Sequence, residues 1–311
     1  MNTQSNALTD SPVESKMKTP EVSSAARPVY WSIRREFWEN RYLYVAPLAV
    51  AAVFLFGYLI SLIHSPDQMH ALVAVDSTHH HGEIFGPFDI AAALMMGTAI
   101  LMSVFYCAEA LHGERRDRSI LFWKSLPVSD ATTVFVKASI PLLILPVLVS
   151  VVTAVMQFLM LLLGSAALLA TGGDVAALWA HVPVLQMSLL TLYHLLTSHA
   201  LWPAPVYCWL LLVSGWARRA TFLWAALPIL AIGGLEKLAF NTWHFATLVG
   251  SRFIGSTAPA VSTPPNVFPS NPMTHITPAT FLAAPGLWIG LAVAAIFLVA
   301  AIRLRRYQGP I

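Results

Sequence analysis

The side chains able to hold a metal, move a proton or form a covalent bond fall in a few places along this chain. Residues 64–87 include His64, His70, His79, His80 and His81 with Asp67, Asp76 and Glu83, the donor types a divalent cation takes. Their spacing matches no defined site, so the stretch reads as a solvated histidine-rich loop. His194 and His199 stand in an apolar run and raise the question of haem ligation. A spacing of five does not keep both on one α-helical face, and no second helix supplies a partner at matching depth, so they read as polar packing at a pore or dimer surface. Glu109 lies near the end of another apolar run, where a carboxylate pairs or reaches for water; Arg115 or Arg116 is its expected partner, which makes it structural rather than a proton relay. Cys107 and Cys208 both lie in apolar runs and read as buried thiols, not as a disulfide or a metal pair. No phosphate loop of the form GxxxxGK[ST] is present, so the chain does not bind ATP through that device. No cofactor and no metal are expected.

What remains is a charged interval at 112–130, HGERRDRSILFWKSLPVSD, set between two long apolar runs. If its middle is helical, Ile120, Leu121, Phe122 and Trp123 give a mostly apolar surface rimmed by Arg115, Arg116, Arg118 and Lys124. Pro127 stops that helix, and Ser129 or Asp130 can accept N–H bonds at the start of the next. A short amphipathic helix of this kind either lies in a leaflet or fills a pocket on a partner.

The elements that carry the interval follow from composition. The chain has 311 residues, 57% of them hydrophobic and only 11% charged, and a mean hydropathy of +0.67. A charged content near 25% is usual for soluble proteins, so this is an integral membrane protein. Residues 1–28, rich in Ser, Thr and Pro, read as a disordered cytosolic tail with no apolar core of the secretory kind. Residues 29–44 place Tyr30, Ile33, Phe37, Trp38 and Tyr44 on one side and Arg34, Arg35, Glu39 and Arg41 elsewhere, which predicts an interfacial helix with its arginines towards anionic headgroups and a bend at Pro47. The remainder, 29–311, is read as one six-helix transmembrane domain, with spans at about 45–63, 88–111, 138–170, 184–215, 221–238 and 281–302. Pro141 and Pro146 predict a kink in the third span, and Pro203 and Pro205 one in the fourth. Residues 171–183 read as a turn, and 238–250 as a helix dipping back into the membrane before a Pro-rich loop. The tryptophans, among them Trp202, Trp216, Trp224, Trp243 and Trp288, suit interface belts.

This count puts Arg34, Arg35, Arg41, Arg115, Arg116, Arg118, Lys124, Lys137, Arg218, Arg219, Arg303, Arg305 and Arg306 on one side, with only Lys237 and Arg252 opposite. By the positive-inside rule the basic side is cytoplasmic, both termini included.

The segment GERRDRSILFWKSLPVSDATTVFVK resembles the cytoplasmic loop between the second and third spans of ABC transporter permease subunits of the type-2 exporter family. The matching positions are Glu114, Arg115, Asp117, Arg118, Ser119, Leu121, Leu126, Pro127, Val128, Ser129 and Lys137, with Arg118-Ser119 standing where that family usually has Gly-Thr. The resemblance implies a bacterial cytoplasmic (inner) membrane protein that hydrolyses nothing itself. Its implied partners are a separate ABC ATPase subunit, a second permease subunit as homo- or heterodimer, and membrane lipid, with no nucleic acid. The implied ATPase-coupling residues are Glu114, Arg115, Asp117, Arg118, Ile120, Leu121, Phe122 and Trp123. A secondary transporter or a membrane-embedded enzyme is the alternative, but the paired intramembrane charges, internal repeat or clustered catalytic groups these need are not evident. The apolar, aromatic-rich spans point to an amphiphilic cargo.

Overall fold

The computed structural model describes residues 26–64, 81–119, 121, 129–254 and 278–307. Residues 1–25 of the expected tail, His70, His79, His80, Asp67, Asp76, Ile120, Phe122, Trp123 and Lys124 lie outside the described residues, as do the side chains of His81 and Glu83; the tail's last three residues, 26–28, are helical. Among the described residues the chain is helical and without strands. Six helices are long and apolar enough to cross a membrane, which makes this an all-α, multi-pass membrane protein.

Helix α1 (Ala26–Glu39) is followed by α2 (Tyr42–His64), and α3 (His81–Glu109) leads through a two-residue turn into α4 (His112–Arg116). The α1–α2 break falls at Asn40, not at Pro47. Asn40 folds its amide back to the Glu36 carbonyl (3.1 Å), ending α1, whereas Pro47 sits in the second turn of α2. Helix α5 (Asp130–Ser139) starts on Ser129, whose backbone is extended and whose Oγ accepts the Thr132 N–H at 3.1 Å. It continues through a π turn, π1 (Ile140–Ile144), into α6 (Leu145–Thr171), which ends on Gly172. Gly172 has φ +77°, and the Gly173 N–H closes on the Leu168 carbonyl at 2.8 Å, a left-handed stop that favours glycine.

The expected turn at 171–183 contains a short helix, α7 (Val175–His181), started by Asp174 and tied back to α6 by Trp179 Nε1 donating to Ser165 Oγ at 2.9 Å. Next come α8 (Val184–Leu196), a second π turn, π2 (Thr197–Leu201), and α9 (Ala204–Trp216). Beside both expected kinks the helix takes the π form: the Trp202 N–H reaches five residues back to the Thr197 carbonyl (2.9 Å), and the Leu145 N–H reaches Ile140. Then follow α10 (Thr221–Phe240), α11 (His244–Ile254), α12 (Pro278–Ala283) and α13 (Pro285–Tyr307). Glu236, in the last turn of α10, accepts from Thr242 Oγ1 (2.7 Å) and from the His244 and Phe245 N–H groups (2.7 and 2.8 Å), so one carboxylate both ends α10 and starts α11 back towards the bundle.

Helix α3 is central, packed on α2, α6 and α9; α8 lies on α6, and α9 lies between α3 and α13. The interior is built of small and flexible apolar side chains, including Ala91, Met95, Ala99 and Met102 on α3 and Val149, Met156 and Met160 on α6. Such residues let helices approach closely where lipid gives no hydrophobic drive for association. The outer faces of α2 and α10 stay apolar and exposed, as lipid-facing helices must be.

Candidate functional site: an ion-pair hub under the charged loop

At the end of the bundle where the basic residues gather, six charged side chains from four helices converge. Glu36 and Arg35 come from α1, Glu114 from α4, Asp130 and Lys137 from α5, and Arg305 from α13. Lys137 Nζ lies 2.8 Å from Glu36 Oε1 and 3.2 Å from Glu114 Oε1. Arg35 Nη2 reaches Glu114 Oε1 at 2.7 Å and Glu36 Oε1 at 3.2 Å. Arg305 Nη1 pairs with Glu114 Oε2, and its Nε meets Asp130 Oδ1 at 3.1 Å. From α3, Tyr106 Oη donates to Glu36 Oε2 at 2.7 Å.

Glu36 and Lys137 are only 1% and 2% exposed, so these charges are withdrawn from water. Burying an ion costs several kcal/mol unless opposite charge and hydrogen bonds surround it. Here three carboxylates face three cations, and the oxygens of Glu36 and Glu114 all have donors. These six balance, and the further acid that meets Arg35, Glu39 at 3.3 Å, keeps its carboxylate half in solvent.

The interval 112–130 therefore divides. Glu114 and Arg115, expected among the docking residues, are 6% and 7% exposed and turned into the protein. Glu114 is the centre of the hub, and Arg115 Nη1 donates to the Gly215 carbonyl at 2.5 Å, fastening α4 to the end of α9. Asp117, Arg118 and Leu121 face outward, and Asp117 accepts from Arg116 Nε at 3.1 Å. Arg118 has φ +58°, in the left-handed region, at one of the two positions where the resembling family carries Gly-Thr. Glu109 pairs with Arg116 at 3.1 Å, both half-exposed, in the structural role expected of it.

Beside the hub opens a cleft of about 460 Å³ between the α1–α2 break and α4, lined by Glu39, Asn40, Tyr42, Glu109, Arg116 and Asp117 among others. Burial holds the Glu39 carboxyl above its ordinary value, with Arg35 acting in the opposite sense.

Elsewhere, the other residues with chemical potential are engaged in packing. Cys107 and Cys208 are buried free thiols. His199 Nδ1 lies 3.2 Å from the His194 carbonyl within the π2 region. Among the described residues no group of three His, Cys, Asp or Glu side chains is placed to hold a metal ion.

The hub was missed by sequence reasoning. Arg35 read as part of the polar side of an interfacial helix, Glu36 was given no role, and Arg305 read as a flanking charge at the end of the last span; only the fold brings them together across up to 191 residues. Arg34, expected on a different side of that helix from Trp38, instead has its guanidinium 5.2 and 5.5 Å from the rings of the exposed Trp31 and Trp38. Compared with protein-family models, curated proteins and solved structures, the chain matches none.

Proposed function

We propose that this chain is the permease subunit of an ATP-driven exporter of the type-2 ABC class, working as a dimer in the bacterial cytoplasmic membrane with both termini in the cytosol. A separate ATPase subunit docks on the outward part of 112–130. The observation that carries the reading is the fastening of that interval: through Glu114 its base is tied to α1 by Arg35, to α5 by Lys137 and to α13 by Arg305. Arg115 adds α9. A soluble partner that pulls on Asp117, Arg118 and the apolar residues 120–123 thus acts on four helices together. Two of them, α5 and α13, run on into the third and sixth spans. ATP-driven closure of paired ATPases would then rearrange the membrane helices as a rigid-body movement, with no chemistry required of this chain.

The test is co-expression with the candidate ATPase. Wild-type chain should retain the ATPase through purification and raise its hydrolysis rate. Phe122→Ala and Trp123→Ala should break co-purification or remove the stimulation while the chain still reaches the membrane. Retention and stimulation unchanged in both variants would refute docking at this interval, and transport by the chain alone in vesicles would refute the class.

A further inference from the structure

Arg252, two residues before the end of α11, stands at the end of the bundle away from the hub. Its guanidinium is held on three sides. Nη2 donates to the Gly286 carbonyl at 2.9 Å and Nη1 to the Trp202 carbonyl at 3.3 Å, and Cζ lies 4.5 Å from the Trp202 ring centroid. Trp202 is itself fixed, its Nε1 donating to the Ser251 carbonyl at 2.9 Å. The seat is cut into α13 by two glycines one turn apart. A Cβ added at Gly290 would stand 2.6 Å from Arg252 Nη1 and 3.1 Å from Cζ, so any other residue there would displace the guanidinium.

Among the described residues Arg252 has carbonyl and aromatic partners but no carboxylate. Asp67, Asp76 and Glu83, in the expected loop at 64–87 on the same face, lie outside the described side chains. Glu236, the acid on the neighbouring helix, is committed to starting α11. It lies at the other end of that helix, about 12 Å away for eight residues. The 23 residues at 255–277 that follow include no Asp or Glu. Burial pulls the guanidinium below its ordinary pKa, and it remains a full cation.

Depth says what kind of group can reach Arg252. Gly286 and Arg305 are separated by 19 residues of α13. That is about 28 Å at 1.5 Å per residue, close to the thickness of a bilayer's hydrocarbon core of about 30 Å. With the hub at one membrane face, Arg252 lies at the headgroup level of the other, where Trp202 also belongs. We infer that Arg252, seated in the Gly286–Gly290 notch against Trp202, anchors a binding site for a phosphate group at that leaflet. Two of its five N–H groups are used on carbonyls, and the rest of the planar fork suits phosphate oxygens. As a mere tie between helices a neutral amide would satisfy the same carbonyls, without bringing a positive charge to them.

The experiment uses the purified full chain in mixed micelles without any ATPase, so its outcome is independent of the transport reading. Thermal unfolding is followed while phosphatidylglycerol, phosphatidylcholine or inorganic phosphate is added. Phosphatidylglycerol should raise the unfolding midpoint of wild type above the phosphatidylcholine baseline. The half-saturating amount should rise about tenfold or more in Arg252→Gln and in Gly290→Ala, which keeps the charge but displaces it. An equal rise from inorganic phosphate alone would support the site and assign it to a soluble phosphate instead of a lipid. Should Arg252→Gln fail to fold, native mass spectrometry of the Gly290→Ala protein carries the test by counting retained phosphatidylglycerol. Unchanged phosphatidylglycerol binding in either folded variant would overturn the inference and leave Arg252 as a tie only.

Discussion

Lys137→Met is the sharpest probe of the hub. The substitution keeps an unbranched side chain of similar length, so packing is nearly conserved and the change is chiefly the loss of one charge. Lys137 Nζ serves two carboxylates, at 2.8 and 3.2 Å, and its removal leaves three carboxylates facing two guanidinium groups. Breaking a buried ion pair by deleting one partner costs about 3–5 kcal/mol, and Lys137 at 2% exposure belongs in that range. Adding Glu36→Gln restores neutrality, with Glu114 and Asp130 then facing Arg35 and Arg305. The double variant should therefore cost less than the sum of the singles by about 1–3 kcal/mol. The assay is equilibrium unfolding in SDS mixed micelles, read by the fluorescence of the 10 tryptophans. Glu109→Gln is the control: its pair with Arg116 is 57% exposed on both sides and should change stability by less than about 1 kcal/mol. If Lys137→Met cost no more than this control, or if the two hub substitutions were additive within about 0.5 kcal/mol, the six charges would not form one balanced unit.

Other outcomes follow from single contacts. Tyr106→Phe removes the 2.7 Å bond to Glu36 Oε2 but leaves Asn40 there, so by the same unfolding assay it should cost about 1–2 kcal/mol, less than Lys137→Met. Arg118→Gly should stabilise the chain by about 1 kcal/mol, since φ +58° strains a residue with a Cβ; a loss of stability would show that the Arg118 side chain has a role its exposed position does not reveal. Ser129→Ala should cost about 1 kcal/mol by removing the cap of α5, seen as earlier hydrogen exchange at the Thr132 N–H. Arg115→Met should cost about 1.5–3 kcal/mol by taking the donor from the Gly215 carbonyl.

The parts of this molecule legible in the sequence are those that depend on neighbours along the chain. Runs free of charge marked six apolar segments, although the fourth, expected at 184–215, is divided between Val175–Leu201 and the shorter Ala204–Trp216; π turns fall beside Pro141 and Pro203, and Ser129 declared a helix start. The Glu109–Arg116 pair was also legible because both residues lie within two turns of each other. Glu36 and Arg305 were not. A Glu beside two arginines on a helix read as interfacial looks the same whether it meets water or a buried lysine, and the Arg that closes a span looks like any flanking charge. Their partners lie 101 and 191 residues away, and nothing in local periodicity reports that. The break at Asn40 was missed for a related reason: Pro47 is the stronger local breaker, yet in the second turn of α2 it leaves the helix continuous, while the side chain of Asn40 ends α1.

The π turns have a consequence for how one span addresses its surroundings. Each holds about one residue more than an α turn, and one residue is about 100° of rotation about the axis. The segment from α8 through π2 to α9 thus carries two phases: after π2 its buried stripe, through Cys208 and Leu211, faces α3 and α13, and before it the stripe of Met187, Thr191 and Leu195 faces α6. Deleting Ser198 would convert the turn into an unbroken α-helix and swing one stripe about 100° away from its neighbour, so a shorter, more regular span would be the less well packed one.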